Sequence, residues 1–93
     1  MDISYDQAKR SQIREQRGLY IADASDLFEA FHLTRSDEKH SDDEDRFISI
    51  GMLNEEVVLV VWTERSESRR IVTMWKANDK ERKAYHRQRD RPG

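Results

Sequence analysis

The 93-residue sequence contains no cysteine, a single proline and three glycines. Without cysteine there is no disulfide scaffold, no thiolate zinc site and no cysteine nucleophile. The same absence fits a cytoplasmic protein. With so little glycine and proline and no internal period, collagen-like and repeat architectures are excluded. No apolar run approaches the ~18–20 residues of a membrane span. The opening residues, Met1 to Asp6, lack the basic-then-apolar order of a secretory signal. Apolar residues are scarce as well, at 35% of the chain against 39% charged. An ordinary domain is nearer ~45–50% and ~25%.

That average leans towards disorder, but the distribution does not. Eleven apolar residues fall between Phe47 and Trp62, enough to seed a compact core inside a charged shell. The length suits one domain spanning residues 1–93, with about 89–93 as a frayed tail. The net charge of −2 conceals an asymmetry: residues 1–63 hold 14 acidic and 7 basic side chains, residues 64–93 hold 5 and 10. A basic C-terminal third offers a face for an anionic partner; a solvated helix with surface charge is the alternative.

Asp6 reads as the N-cap of a helix from Gln7 to about Arg17, ended by Gly18 in a left-handed turn. Ile21, Ala24, Leu27, Phe28 and Phe31 recur at helical spacing and define a second helix, about Ile21 to Ala30. Phe31 to Arg35 reads as a short edge strand, and Ser36 to Asp45 as an acidic loop. Phe47 to Met52 reads as a strand in which Gly51 marks a bulge or a close backbone approach. Leu53-Asn54-Glu55 forms a turn. Val57 to Trp62 is unbroken apolar, the pattern of a central strand covered on both faces. After a polar hairpin turn at Glu64 to Ser68, Arg70 to Trp75 forms another strand. Its alternation puts Ile71, Thr73 and Trp75 on one face and Arg70, Val72 and Met74 on the other. Asn78 to Glu81 is a capping box opening a charged helix to about Gln88. The expected fold is α+β: two N-terminal helices, a four-stranded antiparallel sheet and a C-terminal helix.

In that order, the residues resemble the BrnT family of type II toxins, over about Tyr5 to Tyr85. The resemblance is carried by Tyr5-Asp6-Gln7-Ala8-Lys9 and by Glu44 through Gly51. Its strongest block is Val60-Val61-Trp62-Thr63-Glu64-Arg65, then Arg69-Arg70-Ile71-Val72. It continues through Lys76-Ala77-Asn78 to Glu81-Arg82 and Tyr85. Three positions depart from the family pattern. Gln16-Arg17-Gly18 stands where Lys-His-Gly is usual, Tyr20 where a Ser or Thr cap is usual, and Trp75 where an Arg is usual. The resemblance implies a RelE-like fold and an endoribonuclease. It also implies neutralisation by a ribbon-helix-helix antitoxin of the BrnA kind, with DNA contacted only through that antitoxin, and no cofactor, metal or membrane.

Such an enzyme assists attack of the RNA 2′-OH on the adjacent phosphate by removing a proton, stabilising charge and protonating the leaving oxygen. The resemblance points to Arg65, Arg70, Lys76 and Tyr85 as the catalytic set, with Arg69, Trp75, Arg82 and His86 binding RNA. Arg65 and Arg70 flank a tight hairpin, so their side chains can approach each other and take a phosphate. The alternative is that they pair with Glu64 and Glu67. Lys76 is a base or phosphate ligand, or ordinary surface. Glu64 is a second base candidate. Tyr85 is an acid, a base or a stacking platform, or it anchors its helix. Arg82, three residues earlier, shares its helix face. Trp75 stacks on a base or packs in the fold. His40 with Asp42, Asp43 and Glu44 matches no metal-ligand spacing, so that segment reads as an acidic loop. It could also repel RNA or pair with a basic antitoxin. The competing function is a catalytically inert relative that only binds an antitoxin in operon autoregulation.

Overall fold

The computed structural model describes residues 2–40 and 44–91. The chain opens on strand β1 (Asp2–Tyr5) and continues into helix α1 (Gln7–Arg17). A 3₁₀ turn at Ile21–Asp23 then leads into the short helix α2 (Ala24–Glu29). Strands β2 (His32–Ser36), β3 (Arg46–Leu53), β4 (Glu56–Arg65) and β5 (Ser68–Lys76) follow, and helix α3 (Asp79–Arg89) ends the described chain. The acidic segment expected at Ser36 to Asp45 contains a 3₁₀ turn at Glu38–His40. Its residues 41–43 lie outside the described residues, as do positions 92–93 of the expected tail.

The α+β class holds, but the sheet has five strands in the order β1-β5-β4-β3-β2, and β1 runs parallel to β5. The expected four-stranded antiparallel sheet is therefore corrected to a mixed one. Asp2 to Tyr5 is too short for its period-2 pattern to stand out. It becomes a strand because Ile3 and Tyr5 can pack on the core. The second N-terminal helix is also shorter than expected. It ends at Glu29, leaving Phe31 off the apolar stripe and 48% exposed.

The local signals act as the residues dictate. The Asp6 carboxylate accepts from the Ala8 N–H at 2.7 Å, and Gly18, at φ 65°, donates to Arg14 O. At α3, Asn78 and Glu81 exchange both bonds of the capping box, at 2.8 and 2.9 Å. Asn54 and Glu55 both have positive φ, as a two-residue hairpin turn between twisted strands requires.

The core lies on one face of the sheet. Ile13, Leu19, Ile21, Ala24 and Leu27 from α1, α2 and their link pack on Leu53, Val58, Val60, Trp62, Ile71 and Met74. A register shift at Val61/Trp62 pairs Trp62 with Ile71 but Val61 with Thr73, so Val72 is an extra residue in β5. The bulge reverses the expected alternation. Ile71 and Met74 are both buried under the helices, while Thr73 and Trp75 share the opposite face with Arg70.

Gly51 marks a close approach of helix to sheet. A Cβ placed there would lie 2.9 Å from Leu27 Cγ, and Leu27 is fully buried. Gly51→Ala should therefore destabilise the fold by about 1–3 kcal/mol, since a packed core resists an added methyl. A chemical-denaturation midpoint equal to that of the parent protein would refute the close-contact argument.

Candidate functional site

The face of the sheet opposite the core is only half covered. α3 lies over the end formed by Leu33, Ile50 and Leu59. The remainder is an open cleft of about 580 Å³. Its floor is Ile48, Val61, Val72 and Thr73, with Trp75 at one side. Arg35, Lys39 and Arg46 line it together with Asp37 and Glu38.

Strand register extends this face beyond the cleft. Arg46 sits opposite Thr63 on β4, and Thr63 opposite Arg70 on β5. Neighbouring strands are about 4.8 Å apart, so the backbones of Arg46 and Arg70 are about 10 Å apart across Thr63. Thr63 is 1% exposed, and its hydroxyl has no hydrogen-bond partner among the described residues. Arg65 lies one step further on the same face, and its Nη2 donates to Glu44 Oε1 at 2.8 Å. It pairs with neither Glu64 nor Glu67, the partners considered from the sequence. Arg70 is half-buried and makes no ion pair or hydrogen bond among the described residues. Arg35 and Lys39 likewise have none. A half-buried guanidinium without a carboxylate, one strand pair away from Arg46 on the same open face, is a ready anion site.

The structure does not gather all the residues singled out from the sequence. Lys76 lies at the other end of β5, about 15–20 Å from Arg70 along the strand. Its ammonium faces Glu56 at 3.2 Å. Lys76, Arg82 and His86 line a separate depression with Glu55 and Glu56, and Arg82 is paired with Asp79. Tyr85 is 2% exposed and its hydroxyl donates to Phe31 O at 3.4 Å, while its ring meets those of Phe31 and His86. Arg69 is on the helix-covered face. Its guanidinium stacks over Phe28 at 4.1 Å and lies 5.1 Å from the Trp62 ring. Glu64 is opposite Arg69, on that same face. Trp75 alone of the expected RNA-binding residues lines the cleft.

Three cleft cations were missed by sequence reasoning. Arg35 and Arg46 occupy ordinary strand positions, and Lys39 stands in the acidic segment. The signal available for Arg46 was its place on the same alternating face as Ile48 and Ile50.

Among the described residues no helix is long and apolar enough to cross a membrane. A comparison with curated proteins finds no significant match. A family model described as the ribonuclease toxin BrnT of type II toxin-antitoxin systems matches residues 5–81. That span takes in the last residue of β1, both N-terminal helices, strands β2 to β5 and the start of α3. The chain belongs to the BrnT family of ribonuclease toxins.

Proposed function

We propose that this chain is an active endoribonuclease and that it cleaves RNA on the open sheet face. The observation that carries the proposal is Arg70: half-buried, without a partner among the described residues, and across Thr63 from Arg46. A phosphate held between Arg46 and Arg70 would meet two guanidiniums. Arg70, without a partner among the described residues, is able to take up charge as the 2′-oxygen attacks phosphorus and the 5′-oxygen leaves. The attack gives a 2′,3′-cyclic phosphate and returns a proton to the 5′-oxygen. Glu44, held by Arg65, is the carboxylate best placed at this end to accept the 2′ proton. It takes the part considered from the sequence for Glu64. Trp75 supplies a stacking surface for a base. Tyr85, whose hydroxyl is engaged with Phe31 O, positions α3 rather than transferring a proton.

Membership of a type II toxin family implies an antitoxin partner. We propose a ribbon-helix-helix protein of the BrnA kind, bringing DNA contact only through itself. Expression of the wild-type chain should arrest growth, and the purified protein should cleave single-stranded RNA. Co-expression with the antitoxin should relieve the arrest and raise both yield and melting temperature, because a ligand that binds only the folded state stabilises it. A folded protein that neither arrests growth nor cuts RNA would instead be an inert antitoxin-binding module.

A further inference from the structure

β1 pairs with β5 only from Ser68 to Ile71. From Val72 onward the outer edge of β5 has no strand beside it among the described residues, and Arg17 closes part of that gap. It is the last residue of α1, on the helix side of the sheet. Its Nη1 reaches the edge and donates to Met74 O at 2.8 Å and to Thr73 Oγ1 at 2.9 Å. Thr73 lines the cleft, two residues before Trp75. A guanidinium rooted behind the sheet is thus tethered at the cleft's rim.

Two neutral edge oxygens do not require a cation; an amide would satisfy them. A guanidinium carries five N–H donors. Those on Nη2 and Nε of Arg17 have no partner among the described residues. The other basic residue in the last turn of α1, Arg14, is instead placed over the Tyr20 ring at 5.0 Å. Alternate residues of a strand are about 7 Å apart, so the Arg17 tether and the Trp75 ring are near neighbours on one rim. A planar aromatic beside a forked cation is the pairing that takes a stacked base and its phosphate.

We propose that Arg17 and Trp75 form a nucleotide subsite at the β5 rim, with Trp75 stacking a base and Arg17 holding the adjoining phosphate. This rests on the cleft being the RNA site. It places the bound strand across β5, between this rim and the Arg46–Arg70 pair.

The test is binding of a 2′-O-methylated single-stranded oligonucleotide of about ten nucleotides, which spans the cleft without being cut. Fluorescence anisotropy is recorded over a salt series. Arg17→Gln keeps an amide donor for Met74 O and Thr73 Oγ1 but removes the charge. It should weaken binding about three- to tenfold and lower the slope of log affinity against log salt by about 0.7, the loss of one phosphate contact on a single strand. Trp75→Ala should weaken binding about tenfold and leave the slope unchanged. Arg17→Lys should restore the slope. If Arg17→Gln retains both affinity and slope while Arg70→Ala loses them, the subsite falls and the cleft reading stands. If Arg17→Gln melts early, Arg17→Lys decides: a wild-type melting temperature with a reduced slope overturns the proposal. A wild-type protein that shows no salt-dependent binding would sink the subsite and the cleft reading together.

Discussion

Arg70→Ala should lower the rate of RNA cleavage by about two to three orders of magnitude, the usual cost of removing one preorganised donor from developing charge. The fold should survive. Arg70 makes no hydrogen bond or ion pair among the described residues, so truncating it removes no internal contact of that kind. Substitutions of this sort usually change stability by under about 0.5 kcal/mol. Lys76→Ala provides the contrast. Its ammonium is paired with the half-exposed Glu56 at the other end of β5, and an exposed pair contributes only about 0–1 kcal/mol. Cleavage by that variant should stay within about threefold of wild type. Single-turnover cleavage by the two proteins, with growth arrest as the cellular readout, separates the ends of the strand. Loss of activity in Lys76→Ala with retention in Arg70→Ala would place the chemistry beside Arg82 and His86 instead.

That contrast runs against grouping Arg65, Arg70, Lys76 and Tyr85 as one site, and the reason is physical. Motif order along a sequence records which residues occur together, not how far a strand carries them apart. β5 is nine residues long and about 30 Å end to end, so residues at its two ends serve different surfaces. The bulge at Val72 was equally hidden. A single extra residue in β5 reverses its alternation, and nothing in the composition of Arg70 to Trp75 announces it. Signals that act within one or two helical turns were legible. Asp6, Gly18, Asn78 and Glu81 fix the helix ends by bonds to nearby residues. The close approach at Gly51 could be named but its partner could not, because Leu27 is 24 residues away and is brought there by the fold. The position of β1 was the least legible, since a parallel edge strand is decided wholly by distant contacts.

The apolar stretch from Phe47 to Trp62 also locates a residue on which stability depends heavily. Trp62 is 8% exposed and packs between two phenylalanines, with ring centroids 4.8 Å from Phe47 and 5.8 Å from Phe28. Its Nε1–H donates at 2.8 Å to Ser49 Oγ, which is fully buried and shares a second hydrogen bond with Thr34 Oγ1 at 2.7 Å. Trp62→Ala removes the ring, leaves a cavity under α2 and strips Arg69 of one of its two aromatic neighbours. The expected cost is about 3–5 kcal/mol, a large share of the about 5–15 kcal/mol by which a small domain is stable. At about 4–8 °C per kcal/mol, the melting temperature should drop by roughly 12–40 °C. Trp62→Phe distinguishes packing from hydrogen bonding. It keeps most of the ring and leaves Ser49 its bond to Thr34, so it should cost only about 1–2 kcal/mol. Equal losses in the two variants would mean that the indole N–H, not the ring, holds this part of the core. Because Trp62 faces the helices and Arg70 lies on the opposite, open face of the sheet, the two sets of variants should separate cleanly. Trp62→Phe should cleave RNA at near the wild-type rate while melting earlier, whereas Arg70→Ala should melt normally and fail to cleave.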